Sequence, residues 1–304
     1  MQSTSRILMV RPVNFGFNEQ TSVNNAFQQR GHESNAREGA IKEFDEFVQL
    51  LRSAGVVVFV IEDTPEPHTP DSVFPNNWFS THEGGTLVLY PMFAQNRRLE
   101  RKPAVINFIK ESFRVKRVVD LTNYEEKSLY LEGTGSMIFD RDHNLLFACR
   151  SVRTDERVLE AFCDELDYDY FLFNASDSAG NPIYHTNVMM CIASGFAVVC
   201  LDAVKDIDER QNLIALIEES DKEIIEISLE QMEKFAGNML EVESKTAESI
   251  LVMSKTAYNS LNQDQVERIG QHCKIVAPNL TTIENNGGGS ARCMMAELFL
   301  TPVK

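Results

Sequence analysis

One order of predicted elements, strand–strand–helix–strand, recurs along the whole chain, and this constrains the fold more than any single motif. WFST and TLVLY are short apolar runs joined by HEGG, a hairpin turn. A helical stretch at about 97–113 follows, with Val105, Ile109 and Phe113 on one face, and VKRVVDL closes the unit. Pro103 lies inside that stretch, so its first part is expected to be kinked or non-helical. The order returns with SMIFD, LLFAC, a helix near 155–166 and YFLF. It returns again with VMMCI, FAVVCL, a helix near 206–219 (Ile207, Ile214 and Ile217 on one face) and EIIEI. MLEVE, SILVM, helical sequence to His272 and CKIVA make the fourth unit. A fifth closes only by joining the ends: CMMAELFL, RILMVRP, a helix over 40–53 (Ile41, Phe44, Val48, Leu51) and VVVFVIE.

Just before the first strand of each unit stands a polar residue: Asn77, Glu132, His185, Asn238 and Cys293, at intervals of 55, 53, 53 and 55 residues. Equivalent positions of a radial repeat face one axis, so these five side chains are expected to converge. The expected architecture is α/β, with the whole of residues 1–304 forming one pseudo-fivefold domain. The alternative, two open domains joined near 174–182, is set aside: NASDSAGNP sits inside the repeat just ahead of His185 and reads as a loop beside the site.

Composition narrows the function classes. The 304 residues carry 29 Lys+Arg against 45 Asp+Glu, a net charge of −16, and no dense basic cluster. Such a surface disfavours nucleic acid and anionic membranes as partners. No apolar run approaches the ~20 residues of a membrane span, and MQSTSRILMVRP lacks a signal peptide's apolar stretch, so a cytoplasmic location is expected. None of the six cysteines forms a C-x-x-C pair or stands near a His at zinc-finger spacing; no metal or organic cofactor is expected. Met189, Met190, Met294 and Met295 read as core filling. The oligomeric state is left open.

Cys293 departs from the other cysteines, which mostly sit in apolar runs. It follows Gly287, Gly288 and Gly289, whose backbone N–H groups are able to approach an anion, and Arg292 beside it would favour a thiolate. A tight turn holding an ordinary thiol explains the same residues equally well. A nucleophilic Cys needs a general acid/base, which His185 in NPIYHTNVMM supplies if the register brings the two together. Otherwise His185 is a core histidine. Glu132, in YLEGTGSMI, is then a carboxylate that orients His185 or receives substrate N–H groups, against the plainer reading of an exposed loop residue.

E-G-T-G before a strand, H-T-N before a strand and G-G-G-x-x-R-C near the C-terminus resemble the pentein, or guanidine-group-modifying (amidinotransferase), superfamily, over almost the whole chain. The resemblance implies a five-bladed ββαβ propeller, with Cys293 as covalent nucleophile, His185 as general acid/base and Glu132 as its carboxylate partner. C-R-S-V-R-T is similar to the segment whose Arg holds the substrate α-carboxylate, which points to Arg153. Q-N-R-R-L-E resembles a second such segment, leaving Arg97 or Arg98, and Arg11 and Asn14 are possible contributors. Asn238, in F-A-G-N-M-L, resembles a structural Asn that fixes its loop. His32 lies in a polar loop able to cover the site.

Two departures bear on the substrate. Arginine and agmatine deiminases of the superfamily carry aspartates where this chain has Asn77 and Asn187. A carboxylate suits a cationic guanidinium, whereas an amide offers one donor and one acceptor to a neutral group. The expected function is therefore cysteine-dependent hydrolysis of a C–N bond in a ureido amino acid: citrulline to ornithine, carbon dioxide and ammonia, resembling the citrulline-utilisation hydrolases. Alternatives are a guanidino-specific deiminase, a dimethylarginine dimethylaminohydrolase or an amidinotransferase. From another class, a non-catalytic pentein would use the propeller as a binding surface.

Overall fold

Each unit of the register folds as a three-stranded sheet in the computed structural model, which describes residues 1–25, 27–28 and 36–303. In the first, Phe79–His82 pairs antiparallel with Thr86–Leu89, which runs parallel to Arg117–Asp120. A parallel partner cannot be reached by a tight turn, so the chain crosses over through a helix, here Pro103–Ser112. Pro103 occupies its first turn, where a missing N–H costs nothing; the helix starts at the proline instead of kinking there. Val105, Ile109 and Phe113 are buried against Leu87 and Leu89, as their spacing predicts.

The same order builds Met137–Asp140, Leu145–Cys149 and Asp169–Phe173 across the helix Glu156–Leu166. It builds Met190–Ile192, Phe196–Val199 and Glu223–Glu226 across Ile207–Glu219. Here the predicted helix face is corrected: Ile207 is 69% exposed at the first turn, and Leu213 and Ile217 form the buried stripe. Leu240–Glu243, Ser249–Val252 and Lys274–Val276 make the fourth sheet, with Gln263–His272 preceding its last strand. The fifth joins the chain ends. Ala296–Glu297 pairs antiparallel with Arg6–Arg11, which runs parallel to Val57–Glu62 across Ala36–Ser53. Phe44, Phe47, Val48 and Leu51 of that helix pack on Ile7 and Val58.

The result is a mixed α/β fold with five small sheets among the described residues. Met189, Met190, Met294 and Met295 are fully buried core residues, and all six cysteines are buried and free. No helix among the described residues is long and apolar enough to cross a membrane. His32 lies outside the described residues.

Candidate active site

Every register residue sits on or beside a short turn that leads into the first strand of its sheet. Asn77 ends the 3₁₀ turn Pro75–Asn77, Glu132 precedes the turn Gly133–Ser136, and His185 precedes Thr186–Val188. Cys293 lies in the turn Ala291–Met294, and Asn238 stands two residues before Leu240. All five are buried, and the hydrogen bonds among them fall in two sets, one at the Cys293 sulfur and one between His185 and Glu132. The amides of Asn238 and Asn187 reach the Cys293 Sγ at 3.3 and 3.4 Å, and His185 Nε2 meets Glu132 Oε2 at 2.8 Å. Asn77 Nδ2 and His185 Nδ1 both press on Gly135, where an added Cβ would overlap the first and lie 2.8 Å from the second. Any side chain larger than hydrogen there requires Asn77, His185 or the turn itself to shift.

Hydrogen bonds between the turns fix this arrangement. Ser136 Oγ accepts from the Glu132 N–H at 3.0 Å and donates to the Arg153 carbonyl at 2.8 Å. Thr186 Oγ1 donates to the Ser136 carbonyl at 2.6 Å and accepts from the Cys149 N–H at 2.8 Å. The positions of Glu132, Arg153 and His185 are therefore interdependent.

Glu132 accepts the Phe93 N–H at 2.9 Å on Oε1, while Oε2 takes His185 and, at 3.4 Å, Arg153. Burial alone would raise its pKa, but the Arg153 charge and the His185 bond outweigh burial and hold the carboxyl well below the usual range. The ionised carboxylate only accepts, so His185 Nε2 carries the hydrogen and Nδ1 keeps its lone pair. Burial, reinforced by the positive charges of Arg153 and Arg97, pushes His185 down to about 4 despite Glu132, so the imidazole is neutral at pH 7. Arg153 stacks over the Tyr184 ring at 5.0 Å, and its guanidinium is met by Asn24 Oδ1 and, at 3.0 Å, the Thr21 carbonyl.

The two arginines of Q-N-R-R-L-E separate. Arg97 is buried, bonded to both Glu100 oxygens at 2.9 and 3.0 Å, to the Phe74 carbonyl and, through Nη1, to Asn77 Oδ1 at 2.8 Å. Arg97 thus orients Asn77. Arg98 turns outward, bonding the Met92 carbonyl and lying 3.5 Å from Glu125.

Other expectations need correction. Arg11 is held by both Asp45 oxygens at 2.7 and 2.8 Å, and Asn14 donates to the Pro65 carbonyl; neither is brought to the cluster. Arg292 points away from the sulfur, to Glu297 at 2.7 Å and the Met295 carbonyl. The three glycines do not form an anion-binding turn: the Gly288 N–H caps the preceding helix on the Glu284 carbonyl, and Gly287 and Gly289 let the Phe74 ring approach.

Sequence reasoning placed a covering loop at His32 but named none of the residues between 18 and 28 that pack beside Arg153. Asn18 donates to Asp71 at 2.7 Å, Asn25 to the Gly288 carbonyl at 3.4 Å, and Gln28 to the Asn286 carbonyl at 2.9 Å. Tyr184 stands between His185 and a 720 Å³ cavity bordered by Val23, Asn24, Val152 and Ile183, and its hydroxyl donates to the Gly288 carbonyl. Residues 177 and 181–183 of the 174–182 loop line that cavity too, on the far side of Tyr184 from His185. Tyr184 had one available signal, adjacency to His185. Asn24 and Asp71 had none, because neither falls in the register. Among the described residues, no cluster of His, Cys, Asp and Glu is able to hold a metal ion.

This geometry can be set beside known proteins. The family model for N,N dimethylarginine dimethylhydrolase, eukaryotic, matches residues 11–300. No curated protein sequence matches the chain. Among solved structures, the N-terminal domain of ArgZ, an arginine dihydrolase from the ornithine–ammonia cycle in cyanobacteria, is 20% identical with a TM-score of 0.77, covering 98% of this chain and 99% of that one. Unliganded AgrE is 22% identical with a TM-score of 0.75, covering 98% of this chain and 40% of that one. A dimethylarginine dimethylaminohydrolase bearing an S-methyl-L-thiocitrulline adduct is 13% identical with a TM-score of 0.68, covering 98% and 100%. At these identities the structural likenesses establish the fold, and the family match establishes membership. The chain belongs to the N,N dimethylarginine dimethylhydrolase family of the pentein superfamily, a family of hydrolytic enzymes.

Proposed function

We propose that this hydrolase cleaves the ureido group of citrulline, giving ornithine, carbon dioxide and ammonia, with Cys293, His185 and Glu132 as the catalytic set. The observation that carries this reading is the orientation of Asn77. An arginine can only donate, so Arg97 fixes Oδ1 as its acceptor, and the buried Nδ2 is left without a partner among the described residues. Asn187 presents the complement: Nδ2 meets the sulfur and Oδ1 is unpartnered. One free donor and one free acceptor match the carbonyl and the N–H groups of a planar neutral ureido group. A guanidinium, which only donates, leaves the Asn77 donor unanswered.

In this reading the Cys293 sulfur attacks the ureido carbon as its proton passes to His185 Nδ1, the basic nitrogen of a neutral ring. Collapse of the tetrahedral intermediate breaks the bond to the side-chain nitrogen, which takes that proton and leaves as ornithine. Water, deprotonated by His185 Nδ1, then hydrolyses the thiocarbamate, the proton returning to the departing Cys293 sulfur, and the released carbamate decays to carbon dioxide and ammonia. Arg153 binds the α-carboxylate once Asn24 and Thr21 release it, and Arg97 acts by orienting Asn77. The five sheets are read as five blades of a propeller, with 1–304 as one catalytic domain in the cytoplasm acting on a free amino acid.

A second reading, a guanidino substrate, rests on charge. Buried Asp71, Glu100 and Glu132 outnumber Arg97 and Arg153 by one, and burial pushes Glu100 up to about 7, so a cation would relieve the site. The family match and the arginine-binding neighbours lean the same way. Incubation with citrulline and with arginine separately, assaying ornithine, citrulline and ammonia, decides between them. Ornithine from citrulline supports the first; citrulline released from arginine, with citrulline itself inert, refutes it.

A further inference from the structure

We propose that Asn238, acting with Asn187, is a two-donor cradle that stabilises the thiolate of Cys293, which makes Asn238 a catalytic residue and not only a loop anchor. The inference rests on reading Cys293 as the nucleophile. The Asn238 amide cannot be reversed: Oδ1 accepts the Arg292 N–H at 3.0 Å, and Nδ2 donates to the Asn187 carbonyl at 3.1 Å. One hydrogen of that NH₂ satisfies the carbonyl and the other points at Sγ, 3.3 Å away. Asn187 adds a second N–H at 3.4 Å. Both amides are buried, so water does not compete with them for the sulfur. A thiol, a poor acceptor, gains little from two donors; a thiolate gains two charge-assisted bonds.

The groups around the sulfur explain why such a cradle is needed. Arg292, its sequence neighbour, is committed to Glu297 and the Met295 carbonyl. His185 is neutral, and Tyr184 is a buried phenol pushed up by burial and by Cys293. The positive charges of Arg153 and Arg97 answer Glu132 and Glu100. On the Cys293 side, Glu284 is taken by Ser290 and Thr256. Each of these cations is already committed, and a neutral ureido substrate brings none, so the fixed amide dipoles of Asn238 and Asn187 supply anion stabilisation at the sulfur that no committed cation does.

The other five thiols make the proposal measurable. Burial pushes Cys149 and Cys200 up to about 11, and Cys163, Cys191 and Cys273 to about 12, so near neutral pH they stay protonated. The ultraviolet absorbance of the thiolate, taken as the difference between a protein and its Cys293→Ser counterpart, therefore reports Cys293 alone. Asn238→Asp keeps the shape and the acceptor for Arg292 but puts oxygen where Nδ2 stood. Its Cys293 titration midpoint is expected to rise by about one pH unit or more, roughly tenfold less thiolate below the midpoint. Asn238→Ala is expected to shift the same way, by less. Coincident midpoints of wild type and folded Asn238→Ala, checked by circular dichroism, overturn the proposal, because removing the donor adds no charge, whereas the carboxylate of Asn238→Asp raises the midpoint by repulsion even if the wild-type amide is only structural. If the Asn238 variants do not fold, Asn187→Ser carries the same test on the second donor. Since the readout needs no turnover, failure of the cradle is distinct from failure of the nucleophile assignment, which is tested by activity in Cys293→Ser.

Discussion

Asn77→Asp tests the substrate reading most directly. The introduced carboxylate would still accept from Arg97 at Nη1, now as an ion pair, so the local hydrogen bond survives, while the added buried charge is expected to cost about 1–3 kcal/mol of folding stability. Its second oxygen takes the place of the unpartnered Nδ2. A ureido carbonyl arriving there loses its donor and meets an acceptor. Removing one preorganised donor from a developing oxyanion costs about 10²–10³ in rate, or roughly 3–4 kcal/mol. The expected outcome is a fall of that size in kcat/KM for citrulline. A guanidinium, by contrast, gains an acceptor and a fourth buried carboxylate set against two arginines, so the ratio of arginine to citrulline turnover should rise by more than the citrulline loss alone. Steady-state ornithine and ammonia release from both substrates, with a thermal melt as folding control, measures this. A variant that is folded at the assay temperature and keeps citrulline turnover within about threefold refutes the assignment of Asn77 to the carbonyl.

Gly135→Ala should abolish activity with the protein still expressed, because the new methyl overlaps Asn77 Nδ2 and His185 Nδ1; retained turnover would mean that the turn relaxes freely. His185, pushed from 6.5 to about 4 chiefly by burial, binds its proton later in the folded chain than in the unfolded one. Stability is therefore lost as pH falls from about 6.5 towards 4, by about 3 kcal/mol, and urea melts of wild type and His185→Asn across that window should differ in slope. The acid limb of kcat/KM should likewise fall nearer pH 4 than 6.5, and a limb at 6.5 would contradict the neutral-imidazole assignment. Arg11→Ala and Asn14→Ala should leave kcat/KM within about twofold, since both side chains are committed elsewhere.

The spacing of short apolar runs determined the five sheets, the closure of the chain ends into one sheet, and the five register residues, because strand and helix periodicities are local properties. A residue at a strand's entry is legible once the strand is. The residue types on which a ureido reading rests, Asn77 and Asn187, are legible in the same way. Direction is what the sequence left undecided. Arg97 and Arg98 are adjacent in one turn, and only packing against Glu100 on one side and Glu125 on the other sends them apart. Arg292 stands next to the nucleophile yet faces Glu297, while Asn24, from a segment with no periodicity, closes on Arg153 from 129 residues away. The orientation of an amide is the finest of these choices. Whether Asn77 offers its donor or its acceptor depends on an arginine 20 residues on, and whether Asn238 anchors a loop or cradles a sulfur depends on contacts from other turns. Long-range hydrogen bonds set those directions, and no local pattern encodes them.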